Sequence, residues 1–242
     1  MPLAATFVQP DRSSLARRWQ ALEAQSDASF FLRWTWIGAW LDSYPVTPEL
    51  IAVTDERGED VALALLGHAM MPRLLGRAAT LSLNQSGDAA ADRPYIEYNG
   101  LLAAKGREEE AAHAVLAAFA RRRDWRAFRL SGVVPGSPLV RLPARRRVRV
   151  DVSPVYQIDL DAVRAADGDY LSLLSANTRS QIRRAMKDHG GRLPHVTVAT
   201  LDEIEPWLAD MAAPNAGRHA DNAWGDAAFR GFVATRSEEH TS

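Results

Sequence analysis

Two periods, one of alternate residues and one of every third or fourth, sort the apolar positions of the chain into elements. Ala4 to Val8 reads as a short opening strand. Leu15, Trp19 and Leu22 then recur at helical spacing behind Ser13 and Ser14, either of which can cap the helix start. Trp36, Ile37, Trp40, Leu41 and Tyr44 line one face of a second helix from about Trp34, which Pro45 stops. Leu50–Thr54 and Val61–Gly67 flank the turn Asp55-Glu56-Arg57-Gly58, which predicts a hairpin and an antiparallel pair. Ala78–Leu83 is a further strand. A polar loop from Asn84 to Pro94 leads into a predicted strand over Tyr95–Asn99. Glu108–Glu110 open an alanine-rich helix that ends in Arg121–Arg123, charges placed to suit the helix dipole, and Trp125–Ser131 gives a strand.

Pro135, Gly136, Pro138 and Pro143 break this pattern. Beyond them Tyr156–Leu160 reads as a strand and Asp169–Leu174 as the start of a helix. The sharpest element follows, the helix Ser175–His189: Arg179, Arg183, Arg184 and Lys187 fall on one stripe, Ile182 and Met186 on the apolar seam. Ser175 or Asn177 can cap its start, and Gly190-Gly191 can end it. Val196–Ala199 reads as a strand, Leu201–Met211 as a helix, and Asp226–Ala234 as the start of another. The fold class is α+β. The expected boundaries are a first domain over 1–143, a second over 144–235, and a tail over 236–242.

Composition changes this picture little. A hydrophobic content of 47%, a charged content of 24% and a net charge of −1 are those of a globular protein with no overall pull toward nucleic acid or a membrane surface. With no cysteine, disulfides, thiolate metal sites and a cysteine nucleophile are excluded. No stretch nears the roughly 20 apolar residues of a membrane span, and nothing at the N-terminus resembles a signal peptide, so a cytoplasmic location is expected. The closing heptapeptide Arg236-Ser237-Glu238-Glu239-His240-Thr241-Ser242 reads like a translated sequencing-adapter oligonucleotide. Setting aside its one arginine and two glutamates moves the net charge from −1 to 0.

Candidate chemistry is sparse. The Arg179, Arg183, Arg184 stripe suits an anionic partner such as a phosphate or carboxylate, or is a solvated helix face. Strand alternation would put Tyr95, Glu97 and Asn99 on one face. There Glu97 would serve as a base toward an amine, with Tyr95 and Asn99 binding the acceptor, or the three would form a solvent-facing edge. The arginines at 141, 145, 146, 147 and 149 form either an anion patch or a solvated crossover. The histidines show no metal-ligand spacing, so no metal is expected. The tryptophans of the second helix are a ligand platform or core.

Three stretches together resemble one family. Phe30-Phe31-Leu32-Arg33-Trp34-Thr35-Trp36-Ile37-Gly38-Ala39-Trp40 is similar to the N-terminal segment of the CelD-type, cellulose-biosynthesis-associated acetyltransferases. Tyr170 to Arg184 resembles the segment that opens that family's acyltransferase domain, and Trp224–Phe229 a later, weaker one. The family belongs to the GNAT superfamily and is related to the Fem-type aminoacyl transferases. The resemblance implies tandem GNAT-like folds, each a twisted mixed sheet flanked by helices. It implies acyl transfer from acetyl-CoA or another acyl-CoA to an amine or hydroxyl of a sugar or cell-envelope precursor. The thioester would be held by backbone N–H groups where two strands splay, with direct attack by the acceptor.

The chain departs from that pattern in one respect: it has no glycine-rich pyrophosphate loop opening a helix, since Lys187-Asp188-His189-Gly190-Gly191 has the wrong spacing. The second fold is therefore expected to be incomplete and the chain inactive as it stands. Two other readings remain: transfer from aminoacyl-tRNA, and a non-catalytic binding or scaffold module with a degenerate GNAT fold.

Overall fold

The computed structural model describes residues 3–74, 76–141, 149–191, 197–198, 200, 203–218 and 222–239, with side chains through Thr235. They form two units, Met1–Val148 with Thr200–Ser242, and Arg149–Ala199.

The first unit is built on one mixed sheet. Its strands are β1 (Ala4–Val8), β2 (Glu49–Thr54), β3 (Asp60–Pro72), β4 (Arg77–Leu83), β5 (Leu102–Ala103) and β6 (Ala127–Arg129). The order is β1-β2-β3-β4-β6, with β5 paired to β3. All pairs are antiparallel except β4 with β6, which run parallel from Thr80–Ala127 to Ser82–Arg129. The helices of this unit are α1 (Arg12–Glu23), α2 (Trp34–Ser43) and α3 (Glu108–Arg121), and, after the second unit, α6 (Ile204–Ala212) and α7 (Ala227–Glu239).

The centre of the sheet is apolar on both faces because both faces are covered. Leu50, Ala52, Leu63 and Leu65 point one way and pack with Leu15, Trp19 and Leu22 of α1, Ile37 and Trp40 of α2, and Phe232 of α7. Ile51, Val53, Ala62, Ala64 and Leu66 point the other way, onto Ala111, Ala112, Val115 and Phe119 of α3. Trp19 and Trp40 are core side chains whose polar ends are satisfied. Trp19 Nε1 donates to Leu32 O at 2.8 Å and Trp40 Nε1 to Ala91 O at 2.7 Å. Arg18 grips Asp60 through two 2.7 Å bonds and ties α1 to β3.

The α+β class and most elements of this unit match the sequence reading, but β5 was not read, β3 runs on past Gly67 to Pro72, and three further points differ. Asp11, not Ser13 or Ser14, caps α1, its carboxylate accepting from Ser14 N at 2.9 Å. The segment Tyr95–Asn99 is an irregular strap and not a strand. Trp125–Ser131 shortens to the three residues of β6. The residues from Thr200 onward belong to the first unit, whereas the sequence pattern had grouped them with the second domain. The apolar face of α7 is what draws them there: Phe232 is buried edge-on against Trp36, ring centroids 5.0 Å apart. α7 also runs on through Glu239, into the heptapeptide set aside above.

The second unit holds α4 (Leu160–Ala165), a 3₁₀ turn at Tyr170–Leu173 and α5 (Ala176–Asp188). Among its described residues there is no strand, so the mixed sheet expected of a second GNAT-like fold is not found there. Tyr156–Ile158 has a strand's sequence without a neighbouring strand to pair, and Leu160 instead opens α4 behind the Asp159 cap. Val196 and Ala199 lie outside the described residues, as do Arg145, Arg146 and Arg147. Arg141 is paired with Glu109, and Arg149 with Asp151 at 3.1 Å.

Candidate functional site

The residues singled out from sequence fall in both units. Ser175 caps α5 as expected, accepting from Thr178 N at 3.2 Å, and Gly190 at φ 81° ends it. Arg183 and Arg184 are exposed on α5; Arg179 is half-buried and donates to Leu174 O at 2.6 Å. The stripe thus exists, with one of its guanidinium groups already engaged by backbone.

Tyr95, Glu97 and Asn99 do not share a face. Tyr95 is 52% exposed and Glu97 is exposed, while Asn99 is 3% exposed. Strand alternation fails because Tyr98 sits at φ 49°, a left-handed conformation that turns the chain between Glu97 and Asn99. Asn99 then takes a structural position. The β4–β6 ladder ends at Ser82–Arg129, and beyond it Asn99 stands between the two chains. Its Nδ2 donates to Leu83 O at 3.0 Å on one side and to Ser131 O at 2.9 Å on the other. Its Oδ1 accepts from Asn84 Nδ2 at 2.8 Å, and its backbone N–H donates to Gly132 O at 2.9 Å. Gly132 (φ 70°) is required here, since a Cβ would lie 2.2 Å from Ile96 O. The strap is wedged into the opening between the parallel strands.

This geometry bears on acyl-CoA. The resemblance places the thioester between splayed strands, and in the first unit that gap is filled by Asn99. The helix that follows β4 in the crossover, α3, begins with Glu108, Glu109 and Glu110, which repel a phosphate from the N–H groups at its start. The residues of this sheet do not fit an acyl-CoA.

A cavity of about 760 Å³ lies elsewhere, where β2 begins. On the α3 side of the sheet, Arg122 is clamped by two carboxylates. It donates to Glu49 Oε2 at 2.6 Å and to both oxygens of Asp124, at 2.5 and 3.0 Å, while its guanidinium carbon lies 4.4 Å from the centre of the Phe7 ring. The bond from Arg122 holds the Asp124 carboxyl at about 2, below its ordinary 3.8, and the same two carboxylates push the guanidinium pKa up. His68 Nε2 lies 3.1 Å from Glu49 Oε2. An ionised carboxylate only accepts, so Nε2 is the donor in this contact.

On the other side of the sheet the wall is the polar loop after β4. Asp92 gathers Ser86 N, Ser86 Oγ and Gly87 N at 2.7–2.8 Å, and Asp88 accepts from Ala90 N and Ala91 N at 2.8 and 3.0 Å. The loop presses on β3 so closely that a Cβ on Gly67 would sit 2.1 Å from Gln85 O. Tyr44, 5% exposed, completes this wall; burial and then the nearby Asp226 raise its phenol pKa.

Sequence reasoning missed this cavity. Its one local signal was Gly67 inside an apolar strand, which marks a close backbone approach. Glu49, His68 and Arg122 are brought together only by sheet pairing and the crossover through α3. Among the described residues no group of three or more His, Asp or Glu is placed to hold a metal ion, and no helix is long and apolar enough to cross a membrane. Compared with protein families, with curated proteins and with solved structures, the chain matches none.

Proposed function

We propose that this chain belongs to an acyl-CoA-dependent N- or O-acyltransferase that uses acetyl-CoA or another acyl-CoA and acts on an amine or hydroxyl of a sugar or cell-envelope precursor. One observation carries the reading: an otherwise antiparallel sheet, flanked by helices, ends in the parallel pair β4–β6, which opens beyond Ser82–Arg129. That is the kind of sheet and opening that the resemblance of Phe30–Trp40 and Tyr170–Arg184 implies. In this unit the opening is plugged, so the first sheet serves as scaffold and acceptor side. The donor's phosphates are then left to the second unit, where Arg183 and Arg184 are exposed. The plug also favours a second reading, a binding module with a degenerate GNAT fold.

Acetyl-CoA titrated calorimetrically into the full-length gene product separates the two. Saturable binding that weakens on Arg183→Glu is the expected result. Absence of any acyl-CoA binding defeats the acyltransferase reading and leaves the binding module; undiminished binding in the variant returns the α5 stripe to a solvated face.

A further inference from the structure

The strands β3 and β4 outrun the rest of their sheet. β2 pairs with β3 no further than Leu66, and β6 pairs with β4 over Thr80–Ser82. Past Ala69–Thr80 the two continue together as a two-stranded ribbon to Pro72–Arg77, with the Arg126 N–H donating to Ala79 O at its foot. Arg73 N closes the turn on Gly76 O at 2.9 Å, and Gly76 takes φ 80°. At roughly 3.4 Å per residue, the ribbon carries its turn about 14 Å beyond Ala69.

A projecting turn is ordinarily polar. This one reads Met70-Met71-Pro72-Arg73-Leu74-Leu75-Gly76-Arg77. Leu74 is 100% exposed and Met70 51%. Alternation sets Met70 and Met71 on opposite faces of the ribbon, and Leu74 stands at the turn, so the apolar surface surrounds the tip. A protein groove covers one face of a ribbon, whereas a fluid apolar boundary receives it from all sides. Charge is the second observation. Residues 61–87 contain no Asp or Glu, Arg73 and Arg77 bracket the turn, and Arg126 is exposed at the ribbon's foot. Arg77 lies along the ribbon and donates to Met70 O at 3.0 Å; such a side chain lays its stem on apolar surface and keeps its charged end in a polar layer. The carboxylates of Glu49 and Asp124 are engaged by Arg122.

We infer that the β3–β4 ribbon docks the protein on an anionic lipid surface, with Leu74, Met70 and Met71 entering the headgroup boundary and Arg73, Arg77 and Arg126 meeting lipid phosphates. The docking is shallow. A two-stranded ribbon leaves its outer backbone N–H and C=O groups without a strand to pair, which bars it from the hydrocarbon interior, and its reach suits an interfacial depth of roughly 5–10 Å. The attraction is local, since the chain as a whole carries a net charge of only −1. It goes beyond the acyl-transfer reading and does not rest on it.

The test sediments the whole chain with vesicles of phosphatidylcholine alone and of phosphatidylcholine with about 30% phosphatidylglycerol, at low and at high salt. Saturable binding to the anionic vesicles is expected, weakened by salt and at least about tenfold tighter than to the neutral ones. Leu74→Asp changes a side chain that the fold leaves wholly in solvent, and is expected to reduce the affinity about tenfold, the factor that burying one leucine supplies. Arg73→Glu is expected to weaken binding to the anionic vesicles alone, with circular dichroism confirming that both variants fold. Leu74→Trp is expected to bring tryptophan emission that brominated lipid quenches. Absence of binding to the anionic vesicles, equal binding to both kinds, or undiminished binding of Leu74→Asp would each overturn the inference, the last by showing adsorption through charge without entry of the tip. Acetyl-CoA is absent throughout, so a failure here is separate from a failure of the acyltransferase reading.

Discussion

Asn99→Ala removes the wedge between β4 and β6 and tests whether that side chain holds the sheet together. Three side-chain hydrogen bonds disappear: those to Leu83 O and Ser131 O, and the one accepted from Asn84 Nδ2. Asn84 keeps a partner in Gly100 O at 2.8 Å, but the two carbonyls are stranded. At about 1 kcal/mol for each bond, and a further 1–2 kcal/mol in all for the stranded carbonyls, the loss is about 4 kcal/mol. In a unit of this size that lowers Tm by about 10 °C. Urea unfolding followed by tryptophan fluorescence reads it, since Trp125 and Trp40 sit on opposite faces of the same sheet. Asn99→Asp sharpens the test. It keeps an acceptor for Asn84 but aims a carboxylate at two carbonyl oxygens, which raises its pKa in the folded state. Its destabilisation should therefore exceed that of the alanine variant at neutral pH and shrink as the solution is acidified and the carboxyl becomes a donor. A loss below about 1 kcal/mol for Asn99→Ala, or a pH-independent Asn99→Asp, would refute the reasoning.

Three further outcomes are expected. Gly67→Ala pushes a Cβ into Gln85 O and Ser86 Cα, backbone atoms that cannot swing aside, so it should cost about 2 kcal/mol and expose the Ser86–Asp92 loop to limited proteolysis; an unchanged cleavage pattern would show that the loop does not rest on β3. Phe232→Ala should cost about 3 kcal/mol and raise amide hydrogen exchange along α7, because the ring is buried against Trp36; exchange unchanged in α7 would mean that the helix docks by other contacts. The Asp124 carboxyl, at about 2 against an ordinary 3.8, contributes stability that is present above about pH 4 and lost as pH falls toward 2. Its side chain is 51% exposed, so solvent screening holds the contribution below about 1 kcal/mol. Asp124→Asn should flatten the acid limb of the pH–stability curve by that amount, and a curve that superimposes on the native one would count against the clamp.

The sequence by itself determined the local elements whose signals are short-range. The period of Leu15, Trp19 and Leu22, the hairpin at Asp55–Gly58, the dipole-matched charges of α3 and the Ser175 cap of α5 depend on residues a few positions apart, and all appear as read. It did not determine which partner each element meets. Phe232 carried the same helical period whether α7 joined the first unit or the second, and only the space beside Trp36 decided. Asn99 looked like one polar position in an alternating strand; a left-handed Tyr98 and two carbonyls, at Leu83 and Ser131, made it a wedge. Tyr156–Ile158 has a strand's composition, yet a strand exists only beside another, and none is there among the described residues. The cavity was least legible, because Glu49, His68 and Arg122 are separated by up to 73 positions and converge only when β2, β3 and the end of α3 are packed together. Spacing along a chain reports its own helical or extended repeat; charge pairing across a sheet is decided by the register and the crossover that close it.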